Sequence, residues 1–369
     1  MSQSYPILFS EYKLGSLTLK NRIVMAPMTR SRAIGNLPND LMANYYSKRA
    51  EAGLLITEGV APSPDGLGYA RIPGLFNDGQ VKAWKKITDA VHANGGRIFV
   101  QLMHTGRISH PLNLPDEGVV RGVSAIAAAT TQMYTDQEGL QSLPVPEEIA
   151  TAQIPALIDE FVQSAKYAIE AGFDGVELHG ANGYLLDQFL NSASNHRTDK
   201  YGGSPENRNR FVLEVVTAVA NAIGKDKTGI RLSPYGAFND MHADENTEQQ
   251  YIQLAAALNE IGIVYIHIVD HATMGAPAVP LSVKDGIRHA FGSTVILSGG
   301  YDAPRAEAEL EEGRGELVAF GRPFISNPDL VKRIALHAEL AQPDFGTFYT
   351  PGEKGYTDYP ILDKQLQAN

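Results

Sequence analysis

A short polar segment after one β-branched apolar run carries the side chains best suited to chemistry. The run GVELH (175–179) ends at His179, and Asn182 and Tyr184 follow within the next five residues. A ring N–H and an amide could together polarise a carbonyl or nitro oxygen, and a neighbouring phenol could give a proton to a carbon that becomes basic. The competing interpretation is a polar turn before the apolar stretch YLLDQFL, in which Tyr184 only packs.

Three carboxylates near the ends of apolar runs allow a different chemistry. Glu58, Glu177 and Asp270 could belong to a barrel hydrolase, because glycoside hydrolysis uses two facing carboxyl groups. Side chains alternate along a strand, so Glu177 shares a face with His179 and lies one layer below it. We therefore expect Glu177 to be an interior residue, and we keep the hydrolase as an alternative.

Apolar β-branched runs alternate with helical patterns along the chain. The runs lie at 22–27, 54–59, 97–102, 175–179, 229–233, 264–269, 294–299 and 317–322. The helical patterns lie at 40–52, 79–94, 153–171, from Ser204 and Pro205 onward, 246–261, 282–291, 303–312 and 327–340. Eight such units predict an α/β protein, a single-domain (β/α)8 TIM barrel over residues 1–369. An open doubly wound sheet usually carries G-x-G-x-x-G after a strand, and this sequence has no such run.

The barrel fold predicts where the polar residues meet. Active sites of such barrels lie at the carboxyl ends of the strands, and the loops after strands seven and eight often bind a phosphate. Gly299, Gly300 and Gly321 would let the backbone approach an anion closely, and Arg322 would add a forked cation. Each glycine alone is equally consistent with a turn, but their combination favours a phosphate-bearing ligand.

Two segments lie outside the eight units. Residues 11–21 are typical of a short hairpin that covers the floor of the barrel. Residues 107–150 form a long insertion after the third strand, and within it a second hairpin turns at residues 136–139. We expect this insertion to act as a lid over the site.

The composition narrows the possible partners. Lys and Arg number 31 against 42 Asp and Glu, which gives a net charge of −11 and makes nucleic acid or a membrane surface an unlikely partner. Cysteine is absent, which excludes thiol nucleophiles and thiolate metal sites, and no H-x-H or H-E-x-x-H motif predicts a metal. No signal peptide or membrane-spanning run is visible, so we expect a cytoplasmic protein, either a monomer or a homodimer.

The sequence resembles the old yellow enzymes, which are flavin-dependent ene-reductases. The matching segments are NRIVMAPMTR, QLMHTGR, FDGVELHGANGYLLDQFLNSASNHRTDKYGGSPENRNRF, GIRLSP, AFGRPFISNPDL and GYTDYP, and the resemblance covers nearly the whole chain. Thr29 and the ending GYTDYP are similar to the classical branch of this family. Met103 stands where many members carry Trp, and Asn182 stands where part of the family has a second His.

The resemblance implies a barrel that holds FMN, tightly but not covalently, at its mouth. The residues that match flavin-contacting positions are Pro27, Met28, Thr29, Gly59, Gln101 and Arg231 at the ring, and Gly300, Tyr301, Gly321 and Arg322 at the phosphate. A cation such as Arg231 near the ring would stabilise the negative charge of the reduced flavin.

The same resemblance implies reduction of the C=C bond of activated alkenes such as enones, maleimides and nitroalkenes. NADPH, or NADH, would reduce FMN, and the flavin would then pass a hydride to the alkene. His179 and Asn182 would bind the substrate oxygen, Tyr184 would supply the proton, and Tyr69 and Tyr349 would line the pocket. Besides the hydrolase, a barrel that binds a phosphate ligand without catalysis remains an alternative.

Overall fold

The eight apolar runs form the eight parallel strands of a closed barrel. In the computed structural model, which describes residues 4–115 and 118–362, the barrel strands are Ile23–Met25, Leu54–Val60, Ile98–Leu102, Gly175–Gly180, Thr228–Leu232, Tyr265–Val269, Thr294–Ser298 and Leu317–Phe320. Every residue of these strands is buried, as expected for parallel strands covered by helices on the outside and filled by side chains inside. The predicted (β/α)8 barrel is confirmed.

Among the described residues, eight helices around the barrel correspond to the predicted helical patterns, and two short helices, Leu185–Leu190 and Arg322–Ser326, were not predicted. In chain order, all of these helices are Asp40–Ser47, Asp78–Ala93, Ile154–Glu170, Leu185–Leu190, Pro205–Ile223, Thr247–Ile261, Leu281–Ala290, Ala303–Glu311, Arg322–Ser326 and Leu330–Ala335. The start near Ser204 and Pro205 is confirmed: the Ser204 side chain accepts a hydrogen bond from the Asn207 amide, and Pro205 occupies the first helical position. None of the helices in the described ranges is long and apolar enough to cross a membrane.

The prediction of one final helix over 327–340 is wrong. Within this range only Leu330–Ala335 is helical, and a separate short helix, Arg322–Ser326, precedes the range. A residue before proline is disfavoured in the helical region, and Asn327 has an extended backbone with φ −128° and ψ 87°. The Asn327 side chain donates to the Pro323 and Ala341 carbonyls, which fixes the break.

The two added segments lie at opposite ends of the barrel. Strands Tyr12–Leu14 and Leu17–Leu19 pair antiparallel, and Leu14 and Leu19 pack on the residues that begin the barrel strands. In the insertion, Gln132–Thr135 and Gly139–Ser142 form the second hairpin; residues 116–117 of the insertion lie outside the described residues. The first hairpin thus closes the amino-terminal end of the barrel, and the second belongs to the other end.

Glu58 lies on the helix side of the second barrel strand. Its carboxylate accepts hydrogen bonds from the Tyr46 hydroxyl at 3.3 Å and from the Arg30 amide at 3.2 Å. Burial raises the pKa of Glu58 to about 7, although these hydrogen bonds oppose the rise. The carboxyl group is therefore part of the packing between strand and helix.

The raised pKa of Glu58 predicts a pH-dependent loss of stability. An acid whose pKa rises on folding stabilises the protein fully below its unfolded pKa, and this contribution is lost as the pH rises through the folded value. Between about pH 4.5 and 7 the wild type should lose on the order of 3 kcal/mol of unfolding free energy that a Glu58→Gln variant keeps. Urea unfolding at pH 5 and pH 8 would measure the difference, with the exposed Glu311→Gln as control. An equal change in unfolding free energy between pH 5 and pH 8 in the wild type and in Glu58→Gln would contradict this prediction.

Candidate active site

A buried carboxylate organises the barrel interior beneath the site. Glu177 accepts hydrogen bonds from Gln101 Nε2 at 2.8 Å, from His267 Nδ1 at 2.8 Å and from the Tyr265 hydroxyl at 3.1 Å. Burial tends to raise the pKa of Glu177, but His267, Arg231 and Gln101 together bring it below its ordinary value. The expected interior position of Glu177 is confirmed, and its charge holds side chains of the third and sixth strands in place.

One layer above Glu177 lies a row of basic side chains. His179, Arg231 and His267 occupy neighbouring register positions on the fourth, fifth and sixth barrel strands. Arg231 is only 6% exposed, and its Nε has no hydrogen-bond partner among the described residues. A buried guanidinium N–H without a partner is costly, so this position fits an acceptor that belongs to a bound group.

His179 and Asn182 present unsatisfied polar atoms beside that row. Among the described residues, neither His179 Nδ1 nor Asn182 Oδ1 has a hydrogen-bond partner, and both atoms are buried. Burial, with Arg231, His267 and His271 nearby, lowers the pKa of His179 well below its ordinary value, so the ring is neutral. A neutral imidazole carries one N–H donor, and a half-turn of the Asn182 amide exchanges its oxygen for the NH2 group. The pair can therefore offer two donors to one oxygen.

The backbone of Asn182 is held in an unusual conformation. Its φ is 62°, in the left-handed region, where asparagine is among the few tolerated residues other than glycine. The backbone N–H of Asn182 donates to the Ser233 hydroxyl at 2.9 Å, and the backbone carbonyl of Asn182 accepts from Asn239 Nδ2 at 2.7 Å. Ser233 and Asn239 were not identified from the sequence, because neither lies within the 179–184 segment that they support.

Tyr184 stands directly before the helix Leu185–Leu190. Its hydroxyl is 2.9 Å from the Tyr69 hydroxyl, and its ring meets the His179 ring edge-on with 4.9 Å between centroids. Burial and the neighbouring Tyr69 raise the pKa of Tyr184 well above its ordinary value, so the phenol keeps its proton at neutral pH. The structure thus brings His179 and Tyr184 into contact, as the sequence suggested.

A cavity of about 530 Å³ opens above these groups. The predicted residues that line the cavity are Thr29, Tyr69, Tyr184 and Tyr349. The second hairpin contributes Gln132, Tyr134 and Leu140, and other lining residues are Arg71, Phe345 and Thr350. Its walls therefore come from strand ends, from the insertion and from the carboxyl-terminal segment. Arg71 was not predicted from the sequence, because this residue belongs to no strand end or motif.

The residues expected at the flavin ring converge from neighbouring strands. Pro27, Met28 and Thr29 follow the first barrel strand, and Gly59 pairs in register with Gln101. A Cβ on Gly59 would lie 2.5 Å from Met103 Sδ, so no side chain fits there without displacing Met103. These positions lie at the same end of the barrel as Arg231.

The residues expected at the phosphate follow the last two strands. Gly299 and Gly300 have positive φ values of 151° and 68°, and a Cβ on Gly300 would lie 2.6 Å from Thr273 Cγ2. Gly321 stands directly before the helix that begins at Arg322, and Arg322 is exposed. A second cation, Arg305, was not predicted from the sequence. Arg305 donates to the Gly299 carbonyl at 3.2 Å, and its guanidinium lies 4.1 Å from the centre of the Tyr301 ring. Tyr301 itself is only 6% exposed.

Three possible metal ligands also meet near the base of the insertion. Ligand atoms of Asp65, His104 and Glu160 lie within 4.8 Å of one another, although no spacing motif predicts them. His104 Nδ1 accepts a hydrogen bond from the Gly106 amide, which places the proton of the neutral ring on Nε2, the atom that faces Asp65. Arg121 Nε already lies 3.3 Å from Asp65. Asp65 is therefore already ion-paired with Arg121, whereas His104 Nε2, Arg121 Nε and Glu160 Oε2 have no hydrogen-bond partner among the described residues.

The three carboxylates of the hydrolase alternative do not face one another. Glu58 bonds Tyr46 outside the barrel, Glu177 is enclosed by strand residues, and Asp270 forms an ion pair with Lys284 at 2.7 Å. Each is engaged in a separate contact, so the pair of opposed carboxyl groups that glycoside hydrolysis needs is not formed.

Comparisons with known proteins agree with the geometry. Residues 7–341 match the family described as NADH:flavin oxidoreductase / NADH oxidase. The chain belongs to this family. Morphinone reductase in complex with tetrahydroNAD is 43% identical with a TM-score of 0.93, covering 98% of this chain and 99% of that one. The old yellow enzyme homologue from Zymomonas mobilis is 40% identical with a TM-score of 0.92, covering 97% of this chain and all of that one.

A curated relative extends the comparison. 12-Oxophytodienoate reductase 1 of Oryza sativa subsp. japonica is 41% identical over 362 residues, which cover 97% of this chain and 93% of that protein. The chain is an old yellow enzyme, an oxidoreductase that uses FMN and a nicotinamide cofactor to reduce activated alkenes. The unpartnered Arg231 Nε fits an acceptor on a bound flavin nucleotide.

Gly300 allows a test of the phosphate end. Gly300→Ala should raise the dissociation constant for FMN at least about tenfold, because the added Cβ would collide with Thr273 in a left-handed backbone. Gly313→Ala is a matched control: its φ is 69°, nothing lies within 4 Å of its Cβ, and it should lose stability without losing FMN affinity. Fluorescence titration of the apoproteins with FMN would measure both, and an unchanged affinity in Gly300→Ala would remove Gly300 from the site.

Proposed function

We propose that His179 and Asn182 bind the oxygen of the electron-withdrawing group of an alkene, and that Tyr184 protonates the substrate carbon. The observation that carries this proposal is the grouping of two unsatisfied buried polar atoms, on His179 and Asn182, beside a protonated phenol. Unsatisfied polar groups at a buried site are costly unless a ligand completes them. An enone, a maleimide or a nitroalkene has an oxygen of the required kind.

The two donors act on the charge that develops on the substrate. Electron transfer to the β-carbon moves negative charge to the carbonyl or nitro oxygen, and hydrogen bonds aimed at that oxygen stabilise it more than they stabilise the ground state. His179 is suited to this role because its neutral ring can donate a hydrogen bond to the oxygen. The neutral ring has no acidic proton to transfer, so it does not compete with Tyr184 as the proton donor. Ser233 and Asn239 keep the Asn182 backbone in place while this charge develops.

Tyr184 is suited to deliver the proton at the adjacent carbon. Its raised pKa keeps the phenol protonated until a strongly basic carbon forms, and its hydroxyl lines the cavity. Tyr69 lies one hydrogen bond away and can orient the Tyr184 hydroxyl or return a proton to it. We assign Tyr69 and Tyr349 to the walls that position the alkene.

The remaining predicted residues would hold the cofactor. FMN, when bound, takes electrons from the nicotinamide donor and supplies them to the alkene. Pro27, Met28, Thr29, Gly59, Gln101 and Arg231 would hold its ring, and Gly300, Tyr301, Gly321 and Arg322 its phosphate. Arg231 is suited to the ring because its guanidinium is buried and incompletely bonded. NADPH or NADH is the proposed donor.

The insertion over residues 107–150 is the proposed lid. Three residues of its hairpin, Gln132, Tyr134 and Leu140, line the cavity, which supports this assignment. A cytoplasmic monomer or homodimer without nucleic-acid or membrane partners is proposed from composition, and sedimentation of the holoenzyme would measure the assembly.

Exchange of single hydroxyl groups separates the roles of Tyr184 and Tyr69. Tyr184→Phe should leave FMN binding and reduction by NADPH within about twofold but slow enone turnover by about 100-fold, since general-acid catalysis typically contributes at least that much. Tyr69→Phe, which keeps Tyr184 and removes its partner, should slow turnover far less. Stopped-flow measurement of both half-reactions would decide. Equal loss in both half-reactions of Tyr184→Phe, or a larger loss in Tyr69→Phe, would overturn the assignment.

His179 has a separate test through binding. His179→Ala should weaken the binding of a phenol, an oxygen ligand that needs no turnover, to the oxidised holoenzyme by about tenfold or more, because one donor to the bound oxygen is lost. Absorbance titration of the flavin band measures this affinity. His289→Ala, on a surface helix, is the control for loss of a histidine. Unchanged phenol affinity in His179→Ala would exclude it from the oxygen site.

A further inference from the structure

Arg71 is the one charged side chain among the described residues that line the cavity. Its Nε donates to the Ser31 carbonyl at 3.1 Å, and its Nη2 donates to the Tyr349 carbonyl at 2.8 Å. Its Nη1 donates to Asp136 in the turn of the second hairpin. A guanidinium has five N–H groups, so these three bonds leave two available.

The backbone at Arg71 holds this side chain in a fixed place. Its φ is 57°, in the left-handed region that long side chains rarely adopt. The two carbonyl partners, on Ser31 and Tyr349, belong to different segments of the chain and orient the guanidinium from both sides. Strained backbone that surrounding contacts maintain is characteristic of functional positions. Arg71 is thus pre-organised at the cavity wall.

Asp136 is the less firmly held partner of the ion pair. Its side chain is 47% exposed, whereas that of Arg71 is 11% exposed. A carboxylate in a hairpin turn loses little when it returns to water, and a mostly buried guanidinium needs an anionic partner more than Asp136 does. An anion inside the cavity could therefore replace Asp136 on Arg71 without moving the guanidinium.

We propose that Arg71 is an anion-binding residue of the cavity. Asp136 stays paired with Arg71 until an anionic group of the bound molecule replaces the Asp136 carboxylate. This inference rests on the proposed function, which seats the alkene in this cavity, and it takes the nicotinamide donor to reach the flavin through the same opening. The anion is then either a carboxylate on the alkene or a phosphate of the donor. Both offer the oxygens that a guanidinium fork recognises.

The carboxylate source is tested with matched alkenes. For an enone that bears a carboxylate tail, Arg71→Gln should raise KM about tenfold and leave kcat within twofold, while the methyl ester of the same enone changes less than twofold. Asp136→Asn should lower KM for the carboxylate a few-fold, because the competing anion is gone. Asp136→Asn keeps Arg71 in place, so it tests the proposal even if Arg71→Gln folds poorly.

The phosphate source is tested in the reductive half-reaction. Stopped-flow reduction by NADPH, by NADH and by the uncharged N-benzyl-1,4-dihydronicotinamide gives a dissociation constant for each donor. If the donor phosphate is the anion, Arg71→Gln should weaken the binding of the two phosphate-bearing donors about tenfold and leave the binding of the uncharged donor unchanged.

The carboxylate source also has a readout without turnover. Calorimetric titration of the oxidised holoenzyme with the saturated carboxylate product and with its amide compares the affinities of the two ligands directly.

Arg210→Gln is the control for net charge. Arg210 lies on a surface helix outside the cavity, so its loss changes the charge of the protein equally without touching a bound anion. If Arg71→Gln weakens only the charged ligands in one of the two tests, the proposal is supported, and that test identifies whether the anion is the carboxylate or the phosphate. Equal effects of Arg71→Gln on charged and uncharged ligands in both arms, or a higher carboxylate KM in Asp136→Asn, would overturn it. Normal turnover of the methyl ester in these variants would leave the proposed function intact.

Discussion

The ionised carboxylate of Glu177 is the constraint on which the site depends. It is fully buried in the barrel and bonded to residues of the third and sixth strands, which are not adjacent to each other in the barrel. Such a charge is tolerated inside a protein only when several donors surround it. Gln101, Tyr265 and His267 satisfy this requirement and are thereby fixed in orientation. The strand that carries Glu177 also carries His179, so the same contacts fix the register of the proposed oxygen-binding end.

The walls of the cavity depend on a second set of buried charges. Arg30 and Arg32 are almost completely buried, and they donate to backbone carbonyls of the carboxyl-terminal segment, including those of Thr347, Phe348 and Gly355. This segment has little regular secondary structure, so the arginines supply the hydrogen bonds that a strand or helix would otherwise provide. Phe345 and Tyr349 consequently reach the cavity although each is more than half exposed.

The sequence predicts the barrel well because its signals are local. Each strand is an apolar run and each long helix has a cap or a periodic face, as at Ser204, and the alternation of the two determines a parallel barrel. The 179–184 segment is predictable for the same reason, since its residues adjoin one strand. Arg71 and Asn239 could not be found this way, because their positions depend on contacts between segments distant in sequence. Arg305 contacts Gly299 and Tyr301 within six residues, so it was open to local reasoning but belongs to no strand end or motif. The final helix was predicted to begin at Asn327, where Pro328 and the bond from the Asn327 side chain to the Pro323 carbonyl instead end the preceding helix.

The protonation states around His179 support the proposed separation of oxygen binding from proton delivery. A protonated His179 would lie next to Arg231 in the register of the barrel, and two buried cations there would repel each other. Burial and this neighbour lower the pKa of His179 and keep the ring neutral, so it can donate a hydrogen bond but is not an acid. Tyr184 is the opposite case, because burial raises its pKa and makes it a weak acid. A weak acid gives up its proton only to a strong base, and the substrate carbon becomes one only after electrons reach the alkene. Burial therefore keeps His179 from acting as an acid, and in the proposed reaction it holds the proton on Tyr184 until the alkene has received electrons.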